Sequence, residues 1–356
     1  MLCPKWDNML IDMKIDCTYS IPMVDGWSAG ELRALLDGAR RAVVVSHSSA
    51  DGDAVGSLTG MYALLRRNTV ASVTPILPDG CPDDLVWLPN TANIVDGGRQ
   101  REQALKAIAE ADLIVATDVS GMDRTGELAP ALRASTARKV LIDHHVGPRR
   151  EEFDLTVSDD GISSACELVY WTMRLTYGMQ AFDRDAATSL YTGINTDTGS
   201  FSFSNTRQSV YLASAELLTY GIDPMEINRC IKNVFTVPRL QFFGYAMAHL
   251  LTVYPEREMA LMVIRREDTA RYGVGSPELT GLVNEVMRLR DIDCAVLVRE
   301  EHGRVRLSLR SKRKIDVNQL AREMFDGGGH ERAAGATSHL SVDETVEVVK
   351  RKFNIE

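Results

Sequence analysis

Residues 41–67 read RAVVVSHSSADGDAVGSLTGMYALLRR, and their pattern indicates the fold class. Its β-branched run, Ala42–Val45, is typical of a strand that is buried inside a parallel sheet. A polar loop with a glycine, Ser46–Asp53, follows the run, and Ala54–Arg67 is predicted to be a helix. A strand, a loop and a helix in this order form the first part of an α/β domain.

The same alternation continues through the first half of the chain. Strands are predicted at Val70–Leu77, Leu113–Ala116 and Lys139–Ile142, and a helix is predicted at Arg101–Glu110. This order predicts a doubly wound α/β domain with a mostly parallel sheet, in which ligands bind beyond the carboxyl ends of the strands. The helices predicted in the region that follows are Ser164–Thr176, Arg184–Ile194, Thr206–Tyr220, Pro224–Val234 and Val237–Leu250.

The pattern changes after residue 250, where short strands without long intervening helices dominate. Two strand pairs and one helix are predicted there, at Leu251–Tyr254, Met259–Ile264, Ala295–Arg299, Val305–Ser311 and Val317–Phe325. A glycine run ending in a histidine, Gly327 to His330, follows the helix. We therefore expect a second, smaller α/β domain.

Composition narrows the class of protein. The chain has 356 residues, a length that suggests two domains or three small ones. Its 40 Lys and Arg against 49 Asp and Glu give a net charge of −9. A protein that coats long duplex DNA is usually basic, because it must neutralise many phosphates. An acidic chain can still bind a short anionic substrate if metal ions invert the local field.

The remaining global signals point to the cytoplasm. The six cysteines are scattered without a CxxC pair, which favours free thiols in a reducing compartment over disulfides or a thiolate zinc site. No apolar run reaches the length of about 18 residues that spans a bilayer. The first residues lack the basic start and apolar core of a signal peptide, so we interpret them as an N-terminal extension.

Acidic and histidine side chains follow three of the predicted strands. His47, Asp51 and Asp53 follow the first strand, Asp118 follows the strand that ends at Thr117, and Asp143-His144-His145 follow the strand that ends at Ile142. Asp197, just beyond a predicted helix, is a fourth candidate.

Each of these residues has an ordinary structural explanation. A lone Asp after a strand commonly caps a helix, Asp-Gly-Asp can be only a turn, and a lone His is more often a surface residue than a ligand. Carboxylates crowded at one sheet edge would, however, repel one another unless cations lay between them. Carboxylates mixed with imidazoles and no Cys favour Mn²⁺ or Mg²⁺, and two such ions about 3.5–4 Å apart promote displacement at phosphorus.

Five segments resemble motifs of the DHH phosphoesterase family. They are HSSADGDAVGS at 47–57, ATDVS at 116–120, DHH at 143–145, TDTGSF at 196–201 and GGGHERAAG at 327–335. The resemblance covers about residues 25–345 in the family's order and is strongest to the group of bifunctional oligoribonucleases and pAp phosphatases. The chain has Ala50 where the first motif commonly has Pro, which loosens the loop without removing a ligand.

The resemblance implies a role for each site residue. His47, Asp51 and Asp118 would hold one Mn²⁺, while Asp53, Asp118, His144 and Asp197 would hold a second, so that Asp118 bridges the two ions. Mg²⁺ or Co²⁺ are expected substitutes for Mn²⁺. Asp143 would orient a histidine, and His145 would face the substrate phosphate. His145, Asp143 and Asp118 are thus the expected catalytic residues.

The resemblance also divides the chain. Its implied parts are an N-terminal extension (1–24), a DHH catalytic domain (25–235), a connecting helix (236–250) and a DHH-associated substrate-binding domain (251–356), with the active-site cleft between the two domains. In the last domain, Arg310, Ser311, Gly328, Gly329 and His330 would bind the substrate's phosphate or sugar. A bare glycine run is otherwise a flexible turn.

The function implied is that of a manganese-dependent phosphohydrolase. It would use a water molecule activated by two metals to cleave short single-stranded oligoribonucleotides or linear dinucleotides to mononucleotides, and to convert pAp to AMP. Long duplex DNA and a membrane are not expected partners, and a homodimer is compatible with the family. The alternatives are a soluble cyclic di-AMP phosphodiesterase and, in another class, a non-catalytic nucleotide-binding regulator.

Overall fold

The structure, a computed structural model, describes residues 28–68, 72–233 and 235–355. The predicted N-terminal extension (1–24), with Cys3 and Cys17, lies outside the described residues, as do Val70 and Val234 at the ends of two predicted elements. The chain divides into two compact units at Asn233.

A parallel six-stranded sheet forms the centre of the first unit. The strands are β1 (Arg41–Val45), β2 (Ser72–Leu77), β3 (Val95–Asp96), β4 (Leu113–Thr117), β5 (Arg138–Asp143) and β6 (Leu155–Ser158). Their order is β3-β2-β1-β4-β5-β6, and all neighbours are parallel. The order reverses between β1 and β4, and the crevice beyond the carboxyl ends of such a strand pair is where open α/β sheets bind ligands.

Helices cover both faces of this sheet. They are α1 (Ala29–Gly38), α2 (Gly52–Asn68), α3 (Arg101–Glu110), α4 (Ala129–Ala134), α5 (Ala165–Tyr177), α6 (Arg184–Asp197), α7 (Gln208–Leu218) and α8 (Pro224–Lys232). Alternate residues of β1 enter different apolar clusters, Ala42 and Val44 on one face and Val43 and Val45 on the other. Burial on both faces explains why the strand is a continuous apolar run.

The second unit has its own sheet. Its elements are α9 (Val237–Tyr245), β7 (Leu251–Tyr254), β8 (Met259–Ile264), α10 (Arg266–Tyr272), α11 (Leu282–Val286), β9 (Cys294–Glu301), β10 (Arg304–Ser311), α12 (Val317–Met324), β11 (Asp326–His330), β12 (Ala333–Ser338) and α13 (Val342–Phe353). The strand order is β11-β12-β10-β9-β8-β7, and only the β8–β9 pair is parallel.

The predicted fold class is confirmed: a parallel α/β domain precedes a smaller α/β unit. The glycine run at 327–330 is not the flexible turn that a bare glycine run would form, because it lies in the edge strand β11, which pairs with β12. The helix expected to end at Ile194 continues to Asp197 and stops before Gly199, whose φ is 54°. None of the helices formed by the described residues has the length and apolar character needed to cross a bilayer.

Candidate metal centre

The carboxyl ends of three adjacent strands deliver acids and histidines to one place. The loop after β1 carries His47, β4 is followed by Asp118, and β5 ends at Asp143 with His144 directly after it. These three strands lie side by side across the point where the strand order reverses. The site therefore occupies the position at which α/β sheets bind ligands.

Two helices complete the site through close packing. Asp53 lies in the first turn of α2, and Asp197 is the last residue of α6. A Cβ atom on Gly56 of α2 would lie 2.6 Å from the carbonyl oxygen of Ser189 in α6, so the two helices approach one another too closely for a larger residue. This approach brings the end of α6 to the beginning of α2, and with it Asp197 to Asp53.

The acidic and histidine side chains of the site form three overlapping groups, and within each group the atoms able to ligate a metal lie within 4.8 Å of one another. The groups are His47, Asp51 and Asp118; Asp53, His144 and Asp197; and Asp118, His144 and His145.

Asp118 joins the groups. The Nε2 atom of His47 lies 3.3 Å from Oδ2 of Asp118, and Nε2 of His144 lies 3.6 Å from Oδ1 of the same carboxylate. His144 Nε2 is also 3.7 Å from Asp53 and 3.6 Å from Asp197. The carboxylate of Asp118 thus faces the imidazoles of both His47 and His144. His47 lies in the group with Asp51, and His144 lies in the group with Asp53 and Asp197.

Two buried atoms show that the residues fit a metal ion. The Nδ1 atom of His47 is 2.8 Å from the carbonyl oxygen of Ser48, so Nδ1 donates to that oxygen and Nε2 is the ring nitrogen left to ligate a metal ion. Among the described residues, His47 Nε2 and Asp118 Oδ1 are buried and have no hydrogen-bond partner. Buried polar atoms rarely lack a partner, and a divalent cation would satisfy both.

The electrostatics of the cluster agree with this fit. Burial and the charge of Asp118 raise the pKa of Asp53 to about 7. Burial opposes the ionisation of Asp118, but its interactions with His144 and His47 outweigh burial and hold the pKa of Asp118 below its usual range. Burial alone would lower the pKa of His144, yet its interaction with Asp118 and the surrounding carboxylates raise it to about 10. Without a metal, the raised pKa values of Asp53 and His144 mean that protons offset the negative charge of the cluster, a role that a bound cation would otherwise fill.

The donor set excludes a thiolate. The Sγ atom of Cys166 lies 3.5 Å from the carbonyl oxygen of Asp53, but burial raises the pKa of Cys166 well above its ordinary value, so the thiol stays neutral. Carboxylates and imidazoles remain, a combination that suits Mn²⁺ and Mg²⁺ better than structural zinc.

Asp53 has a second set of partners. Its carboxylate accepts hydrogen bonds from the backbone N–H groups of Ala165, at 2.6 Å, and Cys166, at 2.9 Å, in the first turn of α5. The positive end of a helix dipole stabilises a carboxylate in this position. The start of α5 therefore holds Asp53 in place beside His144.

Asp143 orients His145. Oδ1 of Asp143 accepts a hydrogen bond of 2.7 Å from Nδ1 of His145, and Oδ2 accepts one of 3.2 Å from the backbone N–H of His145. The Nδ1 atom of His145 also lies 3.6 Å from Oδ1 of Asp118. His145 therefore lies at the border of the acidic cluster, held by a buried carboxylate.

Sequence reasoning missed two residues that contact the site. Asp79, which follows β2, accepts a hydrogen bond of 2.7 Å from the backbone N–H of Ser49 in the His47 loop. Arg124 lies with Nη1 2.7 Å from Nε2 of His145. Asp79 follows a predicted strand, as the other acids of the site do, so the same pattern indicates it. Arg124 lies in a short 3₁₀ segment, Met122–Leu128, that is interrupted at Gly126 and is too short to show a periodic pattern.

The residues expected to bind substrate in the second unit lie at one end of its sheet. Arg310 and His330 both pair with Ala333 of β12, from the two sides, so the three residues form one row across the sheet. At a strand spacing of about 4.8 Å, the backbones of Arg310 and His330 lie about 10 Å apart on the same face.

Several polar groups near this row already have partners. The hydroxyl of Ser311 donates to the carbonyl oxygen of Ile315 at 2.6 Å, and the backbone N–H of Gly329 donates to Oδ1 of Asn318 at 3.1 Å. Gly328 pairs with Gly335 of β12. Gly329 has a φ of 148°, and a Cβ there would lie 2.5 Å from the carbonyl oxygen of Ala333, so the position requires glycine.

Comparison with known proteins places the chain among phosphoesterases. It is 27% identical over 307 residues to the bifunctional oligoribonuclease and PAP phosphatase NrnA of Bacillus subtilis (strain 168), covering 85% of this chain and 90% of the relative. It is also 27% identical to NrnA of Thermus thermophilus, over 86% and 87% of the two chains. An exopolyphosphatase-related protein from Bacteroides fragilis superimposes with a TM-score of 0.88 at 32% identity, over 92% and 95% of the chains.

A more distant structure shows the fold alone. Exonuclease RecJ bound to manganese superimposes with a TM-score of 0.53 at 15% identity, over 92% of this chain and 94% of that one. Two family profiles match in sequence: the DHH family, N-terminal domain, over residues 41–194, and the DHHA1 domain over residues 261–354. Because the first profile spans every strand of the parallel sheet and the second lies within the smaller unit, the chain belongs to the DHH family of phosphoesterases and carries a DHHA1 domain.

Proposed function

We propose that the protein is a manganese-dependent phosphohydrolase of short nucleotides. It would cleave short oligoribonucleotides or linear dinucleotides to mononucleotides and dephosphorylate pAp to AMP. The names and the near-complete coverage of the two NrnA relatives support these substrates. The observation that carries the proposal is the position of the Asp118 carboxylate, which belongs to the group of His47 and Asp51 and lies 3.6 Å from His144 of the group that contains Asp53 and Asp197. A shared carboxylate is what two adjacent metal ions require.

Each ligand group has a role in this proposal. His47, Asp51 and Asp118 would hold one ion, and Asp118, with the second group of Asp53, His144 and Asp197, would hold the other. Bound there, the ions would supply activation of water near neutral pH and neutralisation of the phosphate charge.

The remaining groups of the chain would position the reaction. The start of α5 holds Asp53, and the carbonyl oxygen of Ser48 fixes the ring of His47, so both ligands are oriented before a metal or substrate arrives. Asp143 keeps His145 in one orientation, with Nε2 directed away from Asp143. We propose that the imidazole of His145 faces and contacts the substrate phosphate.

The second unit would select the substrate. Arg310 and His330, which lie in one row of its sheet, would bind a phosphate or sugar distant from the bond that is cleaved. Ser311, Gly328 and Gly329 would contribute to the same binding site. Ser311 and Gly329, like Arg310, already donate hydrogen bonds within the unit, so they would exchange these contacts for the substrate. The expected cleft between the domains stays a prediction.

We further propose that the protein works in the cytoplasm. The four cysteines in the described residues are free thiols, at positions 81, 166, 230 and 294. Free thiols persist in reducing compartments, where disulfides are rare.

A substrate panel tests the proposal. The purified protein is incubated with Mn²⁺ and pAp, pApA, RNA oligomers of increasing length from the dinucleotide, cyclic di-AMP or pyrophosphate, and each product is quantified. We expect turnover of pAp and of the shortest RNAs, and loss of turnover when a chelator removes the metal. Preferred hydrolysis of cyclic di-AMP would favour the cyclic dinucleotide phosphodiesterase instead.

One further outcome would overturn the proposal. Binding of these nucleotides without any turnover, in protein shown by elemental analysis to contain metal, would identify a non-catalytic regulator. The presence of every expected ligand position argues against that outcome, since a regulator has no need of a complete site.

A further inference from the structure

The segment that follows Asp118 packs directly on the metal-ligand loop after β1. The backbone N–H of Ser48 donates to the carbonyl oxygen of Arg124 at 2.9 Å. Gly126 has a φ of 57°, and a Cβ there would lie 2.7 Å from Oγ of Ser48. These contacts fix the backbone of Arg124 against the loop that carries His47, so its side chain begins beside the site.

The guanidinium of Arg124 has no carboxylate partner among the described residues, although acids surround the site. Its side chain is half-buried, and its Nη1 atom lies 2.7 Å from Nε2 of His145. The adjacent Asp123 instead forms ion pairs with Arg133 and Arg149. A cation held at the border of an acidic cluster without a carboxylate of its own is placed to receive an anion.

The orientation of His145 determines what Arg124 contacts. Because Nδ1 of His145 donates to Asp143, its Nε2 atom accepts a hydrogen bond from Arg124. This contact uses one of the five N–H donors of the guanidinium. The other donors are available to the oxygens of a phosphate, which a guanidinium binds with two parallel hydrogen bonds.

We propose that Arg124 is a substrate-binding residue that holds a non-bridging oxygen of the phosphate to be cleaved. On binding, Arg124 exchanges its contact with His145 for the phosphate, and Nε2 of His145 becomes available to the same substrate. This role rests on the proposed function, and it makes Arg124 the residue of the first unit that binds the phosphate at which cleavage occurs. It assigns to the first unit a phosphate contact that does not depend on Arg310 or His330.

Binding of AMP and of inorganic phosphate tests this role separately from turnover. Isothermal titration calorimetry on the Mn²⁺-loaded protein compares the original chain with Arg124→Ala and Arg124→Lys. We expect Arg124→Ala to raise the Kd for AMP about 10- to 150-fold, the factor that a hydrogen bond to a charged group contributes. Arg124→Lys should be intermediate, because it keeps the charge but loses the planar fork.

The matched control is Arg138→Ala. Arg138 is an exposed arginine at the amino end of β5, the opposite edge of the sheet, and pairs with Asp154 at 3.2 Å. This variant should bind AMP like the original chain, and elemental analysis should find equal metal content in all four proteins.

Kinetics provide the second readout. On the best substrate of the panel, kcat/KM should fall by a similar factor for Arg124→Ala. If the original chain hydrolyses nothing in the panel, the proposed function fails while the binding measurement still decides the role of Arg124. An unchanged Kd for AMP in Arg124→Ala would overturn the inference. Loss of bound metal in both Arg124→Ala and Arg124→Lys would also overturn it, because Arg124 would then support the metal centre and not the phosphate.

Discussion

Asp118 shows how a single residue can organise the site. Its φ is 58°, in the left-handed region that costs most residues about 1–3 kcal/mol but that Asp and Asn tolerate better. The backbone N–H of Asp118 donates to the carbonyl oxygen of Ile142 at 3.1 Å, which ties the end of β4 to β5. The turned backbone places the carboxylate of Asp118 between His47 and His144. If β4 continued as a regular strand, the carboxylate would instead lie beyond the edge of the sheet.

Changing Asp118 should therefore affect both ligand groups, whereas changing Asp51 should affect one. Asp51 has 63% of its side chain exposed and belongs only to the group with His47. We expect Asp118→Asn, which keeps the shape and tolerates the positive φ, to lose nearly all bound Mn²⁺ and activity. Asp51→Asn should retain about half of the metal of the original chain, one ion of the two proposed for such a centre.

Elemental analysis of the dialysed variants, beside thermal melting, separates metal loss from unfolding. Equal metal content in Asp118→Asn and Asp51→Asn would contradict the bridging role of Asp118.

At the scale of elements, the packing of α2 on α6 sets the position of two candidate metal ligands, Asp53 and Asp197. Gly52, Gly56 and Gly60 lie at four-residue intervals on one side of α2, which is the spacing of one helix face. A Cβ on each would contact α6 at less than 3 Å, against Thr196, Ser189 and Leu190 respectively. The glycines destabilise an isolated helix but permit the close approach that brings Asp197 to the site.

Gly56→Ala tests this packing. Alanine favours a helix by about 0.5–1 kcal/mol over glycine, but the new methyl group would overlap the carbonyl oxygen of Ser189, which cannot move without moving α6. We expect a net destabilisation of about 1–3 kcal/mol and weaker Mn²⁺ binding, measured by thermal melting and by metal titration.

Gly30→Ala is the control for that change. Gly30 lies in α1 with no atom within 4 Å of a new Cβ, so the substitution should leave the melting temperature equal or slightly higher. A Gly56→Ala variant as stable as Gly30→Ala would show that α2 and α6 can separate without cost.

At the scale of the whole molecule, each unit has its own sheet and its own apolar core. The first unit carries the acidic cluster, and the second carries the row of Arg310, Ala333 and His330. Arg310 is held by Nε, which donates to Oδ1 of Asn284 at 3.1 Å, and by Nη1, which donates to its own strand. The proposed division of labour assigns chemistry to the first unit and substrate choice to the second.

Replacing Arg310 or His330 with Ala should change which substrates are used. We expect kcat/KM for pAp and dinucleotides to fall about 10- to 150-fold, because a charge-assisted hydrogen bond is lost. The fall should be much smaller for bis-p-nitrophenyl phosphate, which offers no second phosphate.

Arg306→Ala is the matched control, since Arg306 lies on the same strand and face four residues away and donates to Thr337. Equal losses on both substrate types, at unchanged metal content, would mean that Arg310 and His330 serve the catalytic centre or the fold.

The sequence alone was enough to predict the parallel sheet and the residues that gather at its edge. Ala42–Val45, Leu113–Ala116 and Lys139–Ile142 all lie within observed strands, and the helix at Arg101–Glu110 is observed with the same bounds. A buried parallel strand must be apolar on both faces, and its carboxyl end must deliver the next residues to a common edge. The convergence of His47, Asp118 and His144 follows from those two constraints.

Other features depended on contacts between distant segments. Val95–Asp96 is too short to show a period, and the glycines of β11 have no side chains to alternate, so pairing with β12 decides that they form a strand. Arg124 reaches His145 because Ser48 binds the carbonyl oxygen of Arg124 and Gly126 allows the approach. These positions depend on hydrogen-bond partners that are distant in the sequence. The local sequence does not show which distant group a given backbone N–H or carbonyl pairs with.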